Sequence, residues 1–400
     1  MTRLYYTEQT LKRFDARVVR AEDEVLGHQR VWLDRTAFYP TSGGQPFDTG
    51  HLNQAAVADV VDDDGQVVHL VDGRFAPGDA VVGVIDWPRR FDHMQQHTGQ
   101  HLLSAAFEHV HQVRTESFRL GADCSTIDLA REVSLQEIEA AEDDANRVVW
   151  EGRSVSIRFV SEKESACLPL RKEPSRSGPL RLIEIAGYDL SACGGTHVAT
   201  TSEVGLVVVR AWERFRGGTR LEFVCGGRAL ANYRSCRTAT TNAARVLSVT
   251  AEDVPLAVER LQAELKESRH LAARLGERAA EFEAGTLASR SHEIGRALVF
   301  VSALDGYDVA ALKRLAATFV KQSGRVIVLF TASQPLQVIA ARSTDLNAVD
   351  CRRLLQELFA RSGGRGGGKP ESAQGGGVTA TTSEVVTWVE TALARQLAQA

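Results

Sequence analysis

Short Val-rich runs alternate with turn signals over residues 1–90: ARVVRAEDEVL, HQRVWLD, DTGHL, DDDGQVVHLVDG and APGDAVVGVID, the last closed by Trp87-Pro88. Such spacing predicts a small β-rich domain, with a barrel as its expected form. The period then lengthens. FDHMQQHTGQHLLSAAFEHV sets Leu102, Leu103, Ala106 and Val110 on one side of a helix. A mixed stretch follows, strand-like at CSTIDLA, SVSIRFV, LRLIEIAG, GLVVVRAWER and RLEFVCG and helical at LQEIEAAEDDANRVVWEG, so residues 91–230 are expected to form an α+β domain.

Over 231–290 the pattern is helical throughout. Val254, Val258, Leu261, Leu265, Ser268, Ala272, Leu275, Ala279 and Phe282 alternate spacings of four and three, the heptad rule of a coiled coil. Thr250 and Asp253 fit a capping box at its start. A homodimer through 251–283 and an intramolecular hairpin with a helix over 229–247 both satisfy that stripe. In 291–400 strand-like ALVFVSAL, RVIVLFTA and QVIAARS alternate with helix-like segments, which predicts a small α/β domain. GGRGGGKPESAQGGG at 363–377 interrupts it, and its composition alone suits a flexible linker. The expected whole is a multidomain α+β chain.

Composition narrows the class. Four hundred residues with 44% hydrophobic and 24% charged content suit several globular domains, and no apolar run of 18 exists. The N-terminus lacks the apolar core of a signal peptide, so the cytoplasm is the expected location. Six cysteines without a CxxC pair point to reduced thiols, one of them a candidate metal ligand. A net charge of −4 gives no global basic footprint, but basic residues bunch in RKEPSRSGPLR, RAWERFRGGTR and RSGGRGGGK.

DHMQQHTGQH places histidines at 93, 97 and 101, each pair one helical turn apart. Pairing 93 with 97 would leave His101 unused before apolar LLSAAF, where an unpaired imidazole is costly to bury; this favours 97 and 101, with His93 a surface or supporting residue. About 90 residues on, SACGGTH sets Cys193 and His197 four apart. Three imidazoles and a thiolate suit Zn²⁺.

HTGQHLLSAAF with CGGTH, preceded by TAFYPTSGGQPFDTG, resembles the editing domain of alanyl-tRNA synthetases and the AlaX proteins. GGRGGGKPESAQGGG is similar to the RNA-binding domain that ends those synthetases. Only about 90 residues precede HTGQH, and no P-loop order occurs, so no synthetase catalytic core or ATP site is expected. The resemblance implies zinc on His97, His101, Cys193 and His197, and a trans-acting deacylase of mischarged tRNA(Ala). Ser-tRNA(Ala) is the expected substrate and Gly-tRNA(Ala) a second candidate. Ser42, Gly43, Gly44 and Gln45 would border the pocket, and Arg365 and Lys369 would meet tRNA phosphates.

Rejecting alanine while accepting serine calls for a group that bonds the hydroxyl. Thr115 and Ser117 in RTESFRLG, with Glu116 between them, and Gln100 beside a ligand are the candidates. Four protein ligands would close a tetrahedral site, so catalysis is expected to rest largely on positioning. The competing classes are a zinc amidase or peptidase, which HTGQH disfavours by lacking the glutamate of HExxH, and an RNA-binding protein with structural zinc.

Overall fold

The computed structural model describes residues 1–23, 27–172 and 178–398. They form two compact units, Met1–Ala243 and Ala244–Ala400. The ends of the first Val-rich run and of the last helix, and residues 173–177 of the first basic bunch, lie outside the described residues.

In the first unit, strands Arg13–Asp23, Gln29–Leu33, Gln66–Val71, Ala55–Asp63, Gly50–Leu52 and Ala80–Ile85 pair in that order, and the last returns to the first to close a ring. Side-chain alternation explains the closure: Phe14, Ala16 and Val18 point inward from Arg13–Asp23, and Val31, Val57, Val67 and Val81 meet them from neighbouring strands. The Trp87–His111 helix follows at once, started by Asp86 as N-cap with Pro88 in its first turn.

That helix is buried over most of its middle and shares a core with the Leu135–Glu151 helix and two sheets. One sheet has the order Val207–Phe215, Gly218–Cys225, Ser125–Leu129, Thr115–Leu120; the other is Val155–Val160, Leu180–Ile185, Asp189–Ala192. Arg90, wholly buried near the helix start, bonds the Asp48 carboxylate and the Gln9 carbonyl, tying helix to ring. Gln96 clasps both the amide and the carbonyl of Cys225. A Cβ at Gly99 would strike the Cys225 sulfur, which accounts for a glycine inside this helix.

In the second unit, the sheet order is His292–Ile294, Ala297–Leu304, Arg325–Thr331, Leu336–Arg342, Ser372–Val378, Arg365–Lys369. Both faces are buried: Val326, Val328 and Phe330 meet Leu354, Leu358 and Val389, whereas Ile327 and Leu329 meet Leu312, Leu315 and Phe319. The alternation of elements predicts a small α/β domain and leaves strand direction open. Only Ala297–Leu304 and Arg325–Thr331 are parallel here, and the other described pairs are antiparallel.

Two sequence readings are corrected. The glycine-rich segment, whose composition alone suits a linker, is a hairpin of the last two strands with its outer strand exposed, Arg365 lying opposite Gly376 and Lys369 opposite Ser372. The helix over Val254–Ser289 carries no side-chain cap: Thr250 donates to the Asp253 carboxylate at 2.8 Å, and Asp253 bonds no helix amide through its side chain. Ala284 and Leu287 of that helix pack beside Leu312 and Leu315, whereas Val258, Leu261, Leu265, Leu275 and Phe282 of the heptad stripe are exposed.

Candidate metal centre

His97 and His101 share one helix face, and the turn after Asp189–Ala192 brings Cys193 and His197 against them. Ligand atoms of all four residues lie within 4.8 Å of one another. The Cys193 sulfur is 3.4 Å from Nε2 of both His97 and His197, and the three imidazoles are buried.

Each ring has its other nitrogen engaged. His97 Nδ1 donates to Gln45 Oε1 at 2.8 Å, and His101 Nδ1 donates to Asp189 Oδ2 at 2.8 Å. His197 Nδ1 pairs with Thr98 Oγ1 at 3.2 Å. Amide and carboxylate oxygens only accept, so the Nδ1 atoms of His97 and His101 carry a proton, and Nε2 is the nitrogen each ring turns to the cluster, free to coordinate once a cation displaces any proton there. Tautomer and ring direction are thereby set before any ion arrives.

The charges fit a cation. Burial would raise the Cys193 thiol, but His97 and His197, with a hydrogen bond from His101, hold it well below the ordinary thiol range. Burial opposes charge on His101, and the Asp189 and Cys193 bonds overcome it, lifting the imidazole to about 9. Asp189 would be raised by burial, yet His101 and Arg171 keep it near about 2. A thiolate and a carboxylate that draw positive charge between them offer what a divalent ion supplies.

Local sequence makes the meeting possible. The backbone at Gly195 passes the His97 ring so closely that a Cβ there would overlap Nδ1, whereas one at Gly194 would sit 3.8 Å from the Tyr6 hydroxyl. Gln9 Oε1 accepts the His197 amide at 2.6 Å, and Arg181 donates to the Cys193 carbonyl at 2.6 Å.

The expected pocket residues separate on inspection. Gln45 is buried, bonding His97 through Oε1 and donating to Thr196 Oγ1 at 2.8 Å, so it orients a ligand instead of facing an open pocket. Ser42, Gly43 and Gly44 form the exposed turn that carries it. Gln100 and Thr115 meet at Ser104, donating to its hydroxyl at 2.9 and 2.8 Å, and Gln100 Oε1 is buried without a partner among the described residues. Ser117 is not with them: it donates to Asp128 at 2.5 Å on the opposite face of its strand from Phe118, whose ring stands 5.7 Å from that of His97.

His93 is neither a ligand nor a surface residue. It is buried one turn before His97, its Nδ1 has no partner among the described residues, and burial pushes it down to about 4. Arg365 and Lys369 lie in the second unit, exposed on the glycine hairpin. Of the central basic bunch, Arg210, Arg214 and Arg220 pair with Glu222, Glu132 and Asp128, which spends their charge locally. Residue spacing did not reveal Thr98, Ser104, Phe118, Arg171 or Asp189. The one signal available was an acid in a strand that runs directly into Cys193.

The family described as threonyl and alanyl tRNA synthetase second additional domain matches residues 180–222, tRNA synthetases class II (A) matches 2–89, and the DHHA1 domain matches 297–394. An alanine–tRNA ligase of Pyrococcus abyssi is 33% identical over 93% of this chain, which spans only 41% of that ligase. The C-Ala domain of Aquifex aeolicus alanyl-tRNA synthetase covers 27% of the chain at 17% identity and a TM-score of 0.24, too slight a likeness to build on. The alanyl-tRNA editing protein AlaX-L of Pyrococcus horikoshii is 30% identical over 93% of this chain and 94% of its own length. The chain belongs to the AlaX family of alanyl-tRNA editing proteins.

Proposed function

We propose that the chain is a trans-editing aminoacyl-tRNA deacylase that hydrolyses Ser-tRNA(Ala), and Gly-tRNA(Ala) as a second substrate, with Zn²⁺ held by His97, His101, Cys193 and His197. The observation that carries it is the buried three-histidine, one-thiolate cluster, its rings already turned, in a chain of this family. Three imidazoles and a thiolate favour zinc over harder ions. Held by those four residues, an ion would supply positive charge that can polarise a carbonyl or orient the aminoacyl group.

The chain's own groups do the positioning. Water adds to the ester carbonyl, the acyl–oxygen bond breaks, and the ribose hydroxyl of the terminal adenosine leaves with a proton. Gln100 and Thr115 are the proposed sensors of the serine hydroxyl: Gln100 has a free buried acceptor, and alanine would leave it unfilled at a cost of about 1–3 kcal/mol. Ser42, Gly43 and Gly44 are proposed to border the acceptor end. Arg365 and Lys369, on strands whose glycines let backbone amides approach closely, are proposed to meet tRNA phosphates. The exposed heptad stripe of Val254–Ser289 suits a second copy of the helix, so a homodimer is part of the proposal. The reaction belongs in the cytoplasm, where tRNA is charged; no described helix is long and apolar enough to cross a membrane.

A zinc amidase needs a carboxylate base, and Asp189, which bonds the cluster, is a poor one: His101 and Arg171 engage its two oxygens and hold it down to about 2. Incubating the chain with Ser-tRNA(Ala), Ala-tRNA(Ala) and a peptide amide separates the classes. Serine release at least about 100-fold faster than alanine release is expected. Peptide cleavage without ester cleavage supports an amidase, and neither activity with metal bound leaves an RNA-binding protein.

A further inference from the structure

Arg171 stands in a basic run that composition alone assigns to solvent or RNA, yet its side chain is only 13% exposed and is committed inward. Its Nε donates to Asp189 Oδ1 at 2.6 Å, while the other carboxylate oxygen, Oδ2, accepts from His101 Nδ1 at 2.8 Å. The Ser191 hydroxyl lies 3.0 and 3.1 Å from the two oxygens. The Arg171 amide also donates to the Leu190 carbonyl at 3.0 Å, which fixes its backbone to the strand that bears Asp189. Lys172 reaches the Glu116 carbonyl at 3.1 Å, so the segment is anchored on both sides.

We propose that Arg171, acting through Asp189, is a positioning residue of the metal centre, holding the His101 ring so that Nε2 faces Cys193 and His197. The physical reason is rotational. A carboxylate that meets one imidazole through one oxygen can swing about its last torsion, whereas a second bond to the other oxygen pins its plane and hence the ring. Arg171 also supplies the countercharge that a carboxylate with a fully buried side chain requires. The inference rests on the cluster being a metal centre.

Zinc affinity of the intact chain, measured by competition with a chromogenic chelator, tests it, with the Co²⁺ absorption spectrum as a second readout of ligand geometry. Asp189→Ala should weaken binding about 10–100-fold and Arg171→Gln about tenfold, with Arg171→Lys recovering most of the loss. The double variant should bind no more weakly than Asp189→Ala alone, because Arg171 works through that carboxylate. Arg171→Gln binding within about twofold of the parent, or losses that add in the double variant, overturns the proposal. Should Asp189→Ala fail to fold, the Gln and Lys pair at 171 decides by itself. A parent chain that takes up no divalent metal overturns the metal centre and this role with it; a parent that binds while Arg171→Gln is unaffected overturns this role alone.

Discussion

Gly194 and Gly195 look interchangeable in CGGTH, and their surroundings make them unequal. A methyl group at 195 would overlap the His97 ring and press to 2.9 Å from Gln45 Oε1, separating the ligand from its orienting partner; at 194 it meets only ordinary contact. Gly195→Ala should therefore lower zinc affinity by at least about tenfold, and Gly194→Ala by less than about twofold. Metal content after dialysis against a chelator checks this, and equal losses contradict it. The two pairs, His97 with His101 and Cys193 with His197, were legible because spacing of four on a helix or turn sets side chains together, and the structure brings the two pairs into one cluster. Asp189, Thr98 and Arg171 were not, because an orienting partner is chosen by tertiary distance. The bonds of Gln45 to His97 and Thr196 were hidden for the same reason.

Elements with a strong apolar period were readable, and those without one were not. Phe14, Ala16 and Val18 announce their strand, whereas RGGGK has no side chains to alternate and becomes a strand only through its register with Ser372–Val378. The Val-rich alternation also conceals a polar residue on which the ring depends. His69 is fully buried on Gln66–Val71, its Nε2 2.8 Å from Thr36 Oγ1 and its Nδ1 donating to the Val31 carbonyl at 3.0 Å. Burial, only partly opposed by the Val31 bond, pushes it down to about 4 from an ordinary 6.5. A lowered histidine favours the folded state equally at all pH above 6.5; as pH falls towards 4 the unfolded chain gains a proton that the folded ring refuses. Between those limits His69 alone should cost the first unit about 3 kcal/mol, and His69→Gln should lose about that much less than the parent. Urea unfolding of both chains at pH 7 and 4.5 measures the difference, and parallel losses contradict the assignment.

At the scale of the molecule, each unit closes its own core, as the restart of alternation after the Val254–Ser289 helix suggests. Strand direction in the second unit was not legible: Arg325–Thr331 buries both faces, and a continuous apolar run says nothing of whether its neighbour is parallel. Membership of the editing family was legible, because HTGQH and CGGTH keep their residues and order in the sequence. The central claim is that the cluster in the first unit makes the chain a zinc-dependent editor. Its most direct test is the rate of serine release from Ser-tRNA(Ala) by the intact chain, before and after metal removal and again after Zn²⁺ is restored. Removal should slow release on the order of 100-fold, and restoration should recover it fully. A folded, metal-free chain that releases serine as fast as the zinc-loaded one contradicts it.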